Sequence, residues 1–132
     1  MSGVKNLETL IKEMKPRLNN GEYVFTTVNN LKDINSDDII GQFKEKEGTT
    51  LILERQKADY LNLTYNFIAS WITLEIHSAL DAIGLTAAFS SALTKHNISC
   101  NVIAGFYHDH IFVDKKDETK ALQVLINLSN NF

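Results

Sequence analysis

Residues 71–113 carry most of the groups in this 132-residue chain whose type and spacing could do chemistry. Residues 78–84, SALDAIG, make a small-residue turn between an alternating stretch and an amphipathic one that begins near Leu85. A strand that hands such a turn to a helix leaves the first helical N–H groups without intrahelical partners, at the positive end of the helix dipole. That geometry suits the carboxylate of a small metabolite. Further on, Tyr107-His108-Asp109-His110 offers imidazoles. His108 and His110 share one face of a strand and could act as a ligand pair, but Asp109 lies on the other face, and His77 could join only from an adjacent strand. A zinc site needs about three or four ligands, so these residues are read as polar groups on an open sheet face, with no metal.

Nucleophilic chemistry has little support. Cys100 alternates with Val102 and Ala104 and reads as a buried, inert thiol. Ser90-Ser91 falls in mid-helix without a motif, and the chain has no G-x-S-x-G, Walker loop or H-E-x-x-H. The expectation is no catalytic residue, no cofactor and no enzyme activity.

Composition narrows the class further. Hydrophobic residues are 44% and charged residues 22% of the chain, as in ordinary globular proteins. A net charge of -3, with no Lys/Arg cluster, argues against a nucleic-acid binder, although Trp71 and Phe112 could lie on the open face of a sheet. The start, MSGVKNLETL, lacks the apolar run of a secretory signal, and Glu75, His77 and Asp81 interrupt the longest apolar stretches, so no membrane span is expected. One cysteine allows no intrachain disulfide. A cytoplasmic location follows as an expectation.

The elements that must position these groups are legible from pattern. Leu7, Leu10, Ile11, Met14 and Leu18 recur at helical spacing after Asn6, a candidate N-cap, with Pro16 bending or ending the helix and Asn19-Asn20-Gly21 stopping it. Residues 23–28 read as a strand and 29–38 as a polar loop. Residues 39–44 and 49–54 form a hairpin around residues 45–48, followed by a short helix over 56–61. In the second half, Ile72, Leu74 and Ile76 should face helices, whereas Trp71, Thr73, Glu75 and His77 should face an open surface or a partner. A helix from Leu85 buries Ala88, Phe89, Ala92 and Leu93 and ends at Asn97. Strands over 99–105 and 107–113 precede a last helix over 116–128, which Asp114 could cap.

The halves look duplicated. Ile40-Gly41-Gln42-Phe43, Leu51-Ile52-Leu53-Glu54 and a helix parallel Ile103-Ala104-Gly105-Phe106, Ile111-Phe112-Val113-Asp114 and a helix. Residues 23–28 then match 71–76. The first half has lost its first crossover helix, a vacancy the N-terminal helix could fill. The order predicts an α+β, ferredoxin-like tandem duplication, with antiparallel sheets carrying helices on one face.

His77-Ser78-Ala79-Leu80, Ile83-Gly84-Leu85-Thr86-Ala87-Ala88, Lys95-His96-Asn97-Ile98-Ser99 and Val102 through Val113 resemble the ACT-domain family, regulatory modules that typically bind amino acids. More closely, the chain resembles small bacterial proteins of two tandem ACT-like domains. The resemblance implies a degenerate N-terminal domain over 1–66 and a C-terminal one over 67–132. It implies a ligand at an interface between ACT units, touching Ser78, Leu80, Ile83, Gly84, Leu85, Thr86 and Ile103. Asp109 is added as an acidic group for the ligand's amino group. No strand follows the last helix, so the second half must borrow an edge or leave one open. The function implied is a non-catalytic regulatory module for a small molecule, by the family's usual pattern an amino acid, acting as a homodimer and read by a protein partner. The alternative is a structural or interaction module that has lost its ligand. On this reading Gly84→Val should abolish binding if the backbone approaches the ligand.

Overall fold

The computed structural model describes residues 6–76 and 81–132. His77, Ser78, Ala79 and Leu80 lie outside the described residues.

Asn6 caps helix α1 (Leu7–Glu13), its Oδ1 accepting from the Thr9 amide at 3.0 Å. The helix ends before Pro16, whose ring would collide with the carbonyl of residue 12. Met14 is already extended, and strand β1 runs Lys15–Val28. Leu18 is thus a strand residue, a correction to the helical spacing. Asn19-Asn20-Gly21 does not stop anything either. Its polarity is absorbed by tertiary partners, since Asn19 Nδ2 donates to the Trp71 carbonyl at 3.2 Å and to Thr73 Oγ1 at 3.0 Å.

The chain forms two compact units, one of Gly21–Ala69 and one of Met1–Asn20 with Ser70–Phe132. Strand β1 gives its residues 15–20 to one and 21–28 to the other.

In the Gly21–Ala69 unit, β2 (Ile39–Lys44) and β3 (Thr49–Glu54) form the expected hairpin, closed by Glu45 N–H donating to the Gly48 carbonyl at 3.0 Å. The order is β2-β3-β1, with Tyr23 opposite Glu54 and Val28 opposite Thr49, antiparallel. Helix α2 (Arg55–Tyr60) follows. Val24, Leu51, Leu53 and Ala58 make the core, flanked by Leu31, Ile34, Leu61 and Tyr65. Between β1 and β2 the chain makes only one 3-10 turn, Ser36–Asp38, in place of a crossover helix.

The other unit contains α1, residues 15–20 of β1, β4 (Ile68–Glu75) from Ser70 onward, α3 (Leu85–Lys95), β5 (Asn101–Ala104), β6 (Asp109–Asp114) and α4 (Glu118–Asn130). Its order, β1-β4-β6-β5, repeats the β2-β3-β1 neighbour pattern as β5-β6-β4, which places the duplication in the topology. The vacant last position of the β-α-β-β-α-β plan is taken by residues 15–20, so the borrowed edge comes from the start of the chain. Alternation puts Ile72, Leu74, Ile111 and Val113 under Leu85, Phe89 and Leu93 of α3 and Ala121, Val124 and Leu125 of α4. Leu10, Ile11 and Met14 of α1 enter this same core. That corrects the expectation that α1 fills the first half's vacancy: its apolar stripe is used beside α3 and α4, where Ser129 Oγ donates to the Lys12 and Met14 carbonyls at 3.0 and 3.2 Å.

Two local expectations also change. Asp114 caps the 3-10 turn Lys115–Asp117 rather than α4, accepting from the Lys116 amide at 3.1 Å. The face of Trp71 and Thr73 is not open, because Thr73 is 1% exposed and the Trp71 ring stacks on buried Phe112 at 6.0 Å.

Candidate ligand site

The turn into α3 is built on Gly84, the N-cap residue, at φ +97°. Glycine adopts this left-handed conformation at no steric cost. The first helical bond is Ala88 N–H to the Gly84 carbonyl at 2.9 Å, so the amides of Leu85, Thr86 and Ala87 have no intrahelical acceptor. Leu85 is buried and its side chain anchors the turn in the core, whereas Thr86 is exposed and Ile83 is 86% exposed. A Cβ on Gly84 would stand 3.1 Å from Leu7 Cδ2. The close approach that requires glycine here is therefore to α1, so a Gly84→Val variant would lose function through strain whether or not a ligand binds.

Helix α3 is the crossover from β4 to β5, so α3 begins at the end of the unit where β5 stops and β6 starts. Asp109 opens β6 there. In the antiparallel β5–β6 pair, Ala104 faces Asp109 and Ile103 faces His110. Asp109 thus shares the helix-covered face with Ile111 and Val113, and Ile103 points the other way. These two site residues do not converge on one face of the sheet. Asp109 is 9% exposed, and among the described residues its side chain makes no hydrogen bond or ion pair. Burial pushes its carboxyl above the usual range, and the nearby His108 partly offsets that.

The opposite sheet face holds a polar network. Trp71 Nε1 donates to His110 Nδ1 at 3.0 Å, which places the His110 ring proton on Nε2, and Thr73 Oγ1 lies 3.2 Å from the same Nδ1. Burial, then the charges of His108 and Arg17, lower the His110 pKa from 6.5. A histidine held neutral in the fold lets the unfolded chain take up protons first as pH falls. Its contribution to stability is present above about pH 6.5 and is lost below that, towards the folded pKa. Trp71 is the single tryptophan. Its fluorescence should change as His110 protonates below pH 6.5, and His110→Gln should flatten that step in the same titration.

Among the described residues, no group of three His, Cys, Asp or Glu side chains could hold a metal ion. Cys100 is half-buried, and burial pushes its thiol up to about 11, which makes it a poor nucleophile. Sequence reasoning missed one charged cluster, in the Gly21–Ala69 unit. Arg55 pairs with Glu22 at 3.0 Å and with the Tyr65 hydroxyl at 3.0 Å, and Tyr65 donates to Asp59 at 2.7 Å. These residues border a groove of about 450 Å³ lined by Gly21, Glu22, Glu54, Arg55, Gln56 and Asp59. Glu22 and Arg55 are too far apart in sequence for any local pattern to join them. Their pairing consumes the guanidinium, so the groove ties β1 to α2 rather than presenting a free cation.

One full β-α-β-β-α-β unit and a reduced copy of it define a tandem ferredoxin-like module. Residues 2–70 match one family model of the ACT domain, and residues 66–127 match a second. The chain belongs to the ACT-domain family, a family of regulatory modules. It is similar to a Vibrio cholerae protein described as of unknown function and a possible transport protein, at 50% identity and TM-score 0.85, over 97% of this chain and 99% of that one. A protein from Agrobacterium tumefaciens shares the fold at 18% identity and TM-score 0.71, covering 88% of this chain and 89% of its own. So does the regulatory subunit of aspartate kinase from Thermus thermophilus, at 6% identity and TM-score 0.63, covering 86% and 95%. Comparison with curated proteins gives no match. No helix among the described residues is long and apolar enough to cross a membrane.

Proposed function

We propose that this chain is a non-catalytic regulatory module that binds a free amino acid at the turn into α3. Asp109 carries the reading. A zwitterionic amino acid needs an anion-accepting group and a cation-accepting group close together. The amides that open α3 have no intrahelical acceptor and suit the carboxylate, and the largely buried Asp109 carboxyl at the same end of the unit suits the ammonium. Ion pairing would relieve the desolvation that Asp109 bears in the free protein. Ile83, Gly84, Leu85 and Thr86 form the turn in this proposal, with Ser78 and Leu80 preceding it. Ile103, on the other face and at the end of the strand order, would meet a second copy of the chain across the β5 edge.

The duplicated halves are then residues 1–66 and 67–132, although the compact units divide at Gly21 and Ser70. The setting is cytoplasmic, and the assembly is a homodimer. Ligand favours one arrangement of ACT units, and a protein partner reads it.

A thermal-shift screen of the full chain against the common amino acids and a few nucleotides tests this. A ligand at 100 times its Kd adds about 2.7 kcal/mol, which is several degrees for a chain of this size. The expected result is one selective amino-acid shift, lost in Asp109→Asn, with sedimentation showing that the ligand changes the monomer–dimer distribution. A flat screen would sink it. That outcome would favour a structural or interaction module without a ligand, for which the Leu7–Gly84 contact already gives the glycine a packing role.

A further inference from the structure

We infer that the groove between α3 and α4 is a docking surface for another protein, and that this partner brings an amphipathic helix with acidic residues along its edges. The groove has a volume of about 260 Å³ and an apolar floor, Ala88 and Ala92 from α3 and Val124 and Leu128 from α4. Ala88 and Ala92 stand one turn apart on the same side of α3. The large apolar residues of that helix, Leu85, Phe89 and Leu93, are spent on the core. The two short side chains therefore leave the gap between the helices unfilled, and both, like Leu128, are only half-buried. From Ala88 to Lys95 the groove follows α3 for about 10 Å at the helical rise. A two-turn helix laid along it presents apolar anchors over the same length.

Charge around the groove selects the partner. Helix α3 has no acidic residue, and the one acid of α4, Glu118, is held by Ser70 at 2.6 Å and Lys115 at 3.0 Å. Lys95 lines the groove, and Lys120 lies one turn before Val124 on α4. Both lysines are exposed, and neither has an ion pair among the described residues. The two helices thus form a basic face on a chain whose net charge is -3. A second copy fits this face poorly, because a two-fold contact would set Lys95 and Lys120 against their own copies. Among the described α-helices only α1 carries more acid than base, and its Leu10 and Ile11 are already wholly buried. Two lysines are also few for a lipid surface, which takes clusters of about 4–8. An acidic partner helix gains twice, by covering the apolar floor and by meeting two unpaired cations. The groove shares no residue with the turn into α3, so the inference stands apart from the amino-acid reading.

The test is fluorescence anisotropy with the full chain and two labelled synthetic helical peptides. The peptides share one leucine stripe and differ only in the residues beside it, glutamate in one and lysine in the other. Wild type should bind the glutamate peptide about tenfold more tightly or better. The double variant Lys95→Glu/Lys120→Glu changes only exposed side chains and should reverse the preference. Ala92→Arg fills the groove while adding a positive charge, and should weaken the glutamate peptide by about tenfold; attraction to charge alone would strengthen it. Urea midpoints read by Trp71 fluorescence check that both variants fold. Equal affinity for the two peptides, no binding of either, or affinity unchanged by Ala92→Arg overturns the inference. So does binding to anionic phospholipid vesicles without peptide binding, which would assign the face to a lipid surface. A wild-type dimer in sedimentation that Ala92→Arg disperses would give the groove to a second copy, and overturns it equally.

Discussion

Phe89→Ala should lower the stability of the Met1–Asn20/Ser70–Phe132 unit by about 3–5 kcal/mol, the usual cost of emptying a buried aromatic site. Phe89 is wholly buried at the centre of α3, in one core with Ile72 and Leu74 of β4, Ile111 of β6, and Leu10 and Ile11 of α1. Its ring is what three helices and the sheet share, so little of the cavity can collapse. For a chain of this length the loss should lower Tm by roughly 10–20 °C. Trp71 belongs to the same unit and is the single tryptophan, so urea unfolding followed by its fluorescence reads this unit directly. A midpoint within experimental error of wild type would mean that α3 is not packed as described. Because α3 carries the proposed carboxylate site at its first turn, ligand affinity should fall together with stability.

Gly84→Ala should cost about 1–3 kcal/mol from two separable sources. One is the left-handed backbone at φ +97°, which alanine tolerates poorly. The other is the 3.1 Å approach of Leu7 Cδ2, a contact that the Leu7 side chain must give way to relieve. A double-mutant cycle with Leu7→Ala separates them: trimming Leu7 should return the steric share and leave the backbone share. Coupling of about 0.5 kcal/mol or more is expected for side chains in direct contact, and additivity would place Leu7 away from the turn. The same cycle guards the binding experiments, since affinity lost in a Gly84 variant alone does not separate a ligand contact from strain.

Local rules carried far where neighbours in sequence decide the outcome. The turn over 45–48 closes on Gly48, and α3 starts at Leu85 after a glycine. Asn97 takes the positive φ, +61°, that ends α3. The burial of Leu85, Phe89 and Leu93 follows from spacing alone. Leu18 misled because an apolar residue four positions after Met14 fits a helix equally well. Only the backbone consequences of Pro16, and the strand partner that Asn19 finds in β4, make that segment extended.

The candidate site shows the same division. Alternation separates Asp109 from His108 and His110 on paper, but which of them shares a face with Ile103 depends on the β5–β6 register, which pairs Ile103 with His110. Leu7 never suggested itself, because Leu7 and Gly84 are far apart in the chain and meet only when α1 docks beside α3.

By itself, then, the sequence determined the type and order of nearly every element, the duplicated hairpin–helix pattern, and the family, because propensity, capping and periodicity act over a few residues. The tertiary structure alone decided that residues 15–20 complete the sheet after α4, that α1 joins the C-terminal core, that Thr73 is covered, and that Asp109 is largely buried. Those outcomes depend on which surfaces meet across the chain, and burial is the sum of all such meetings.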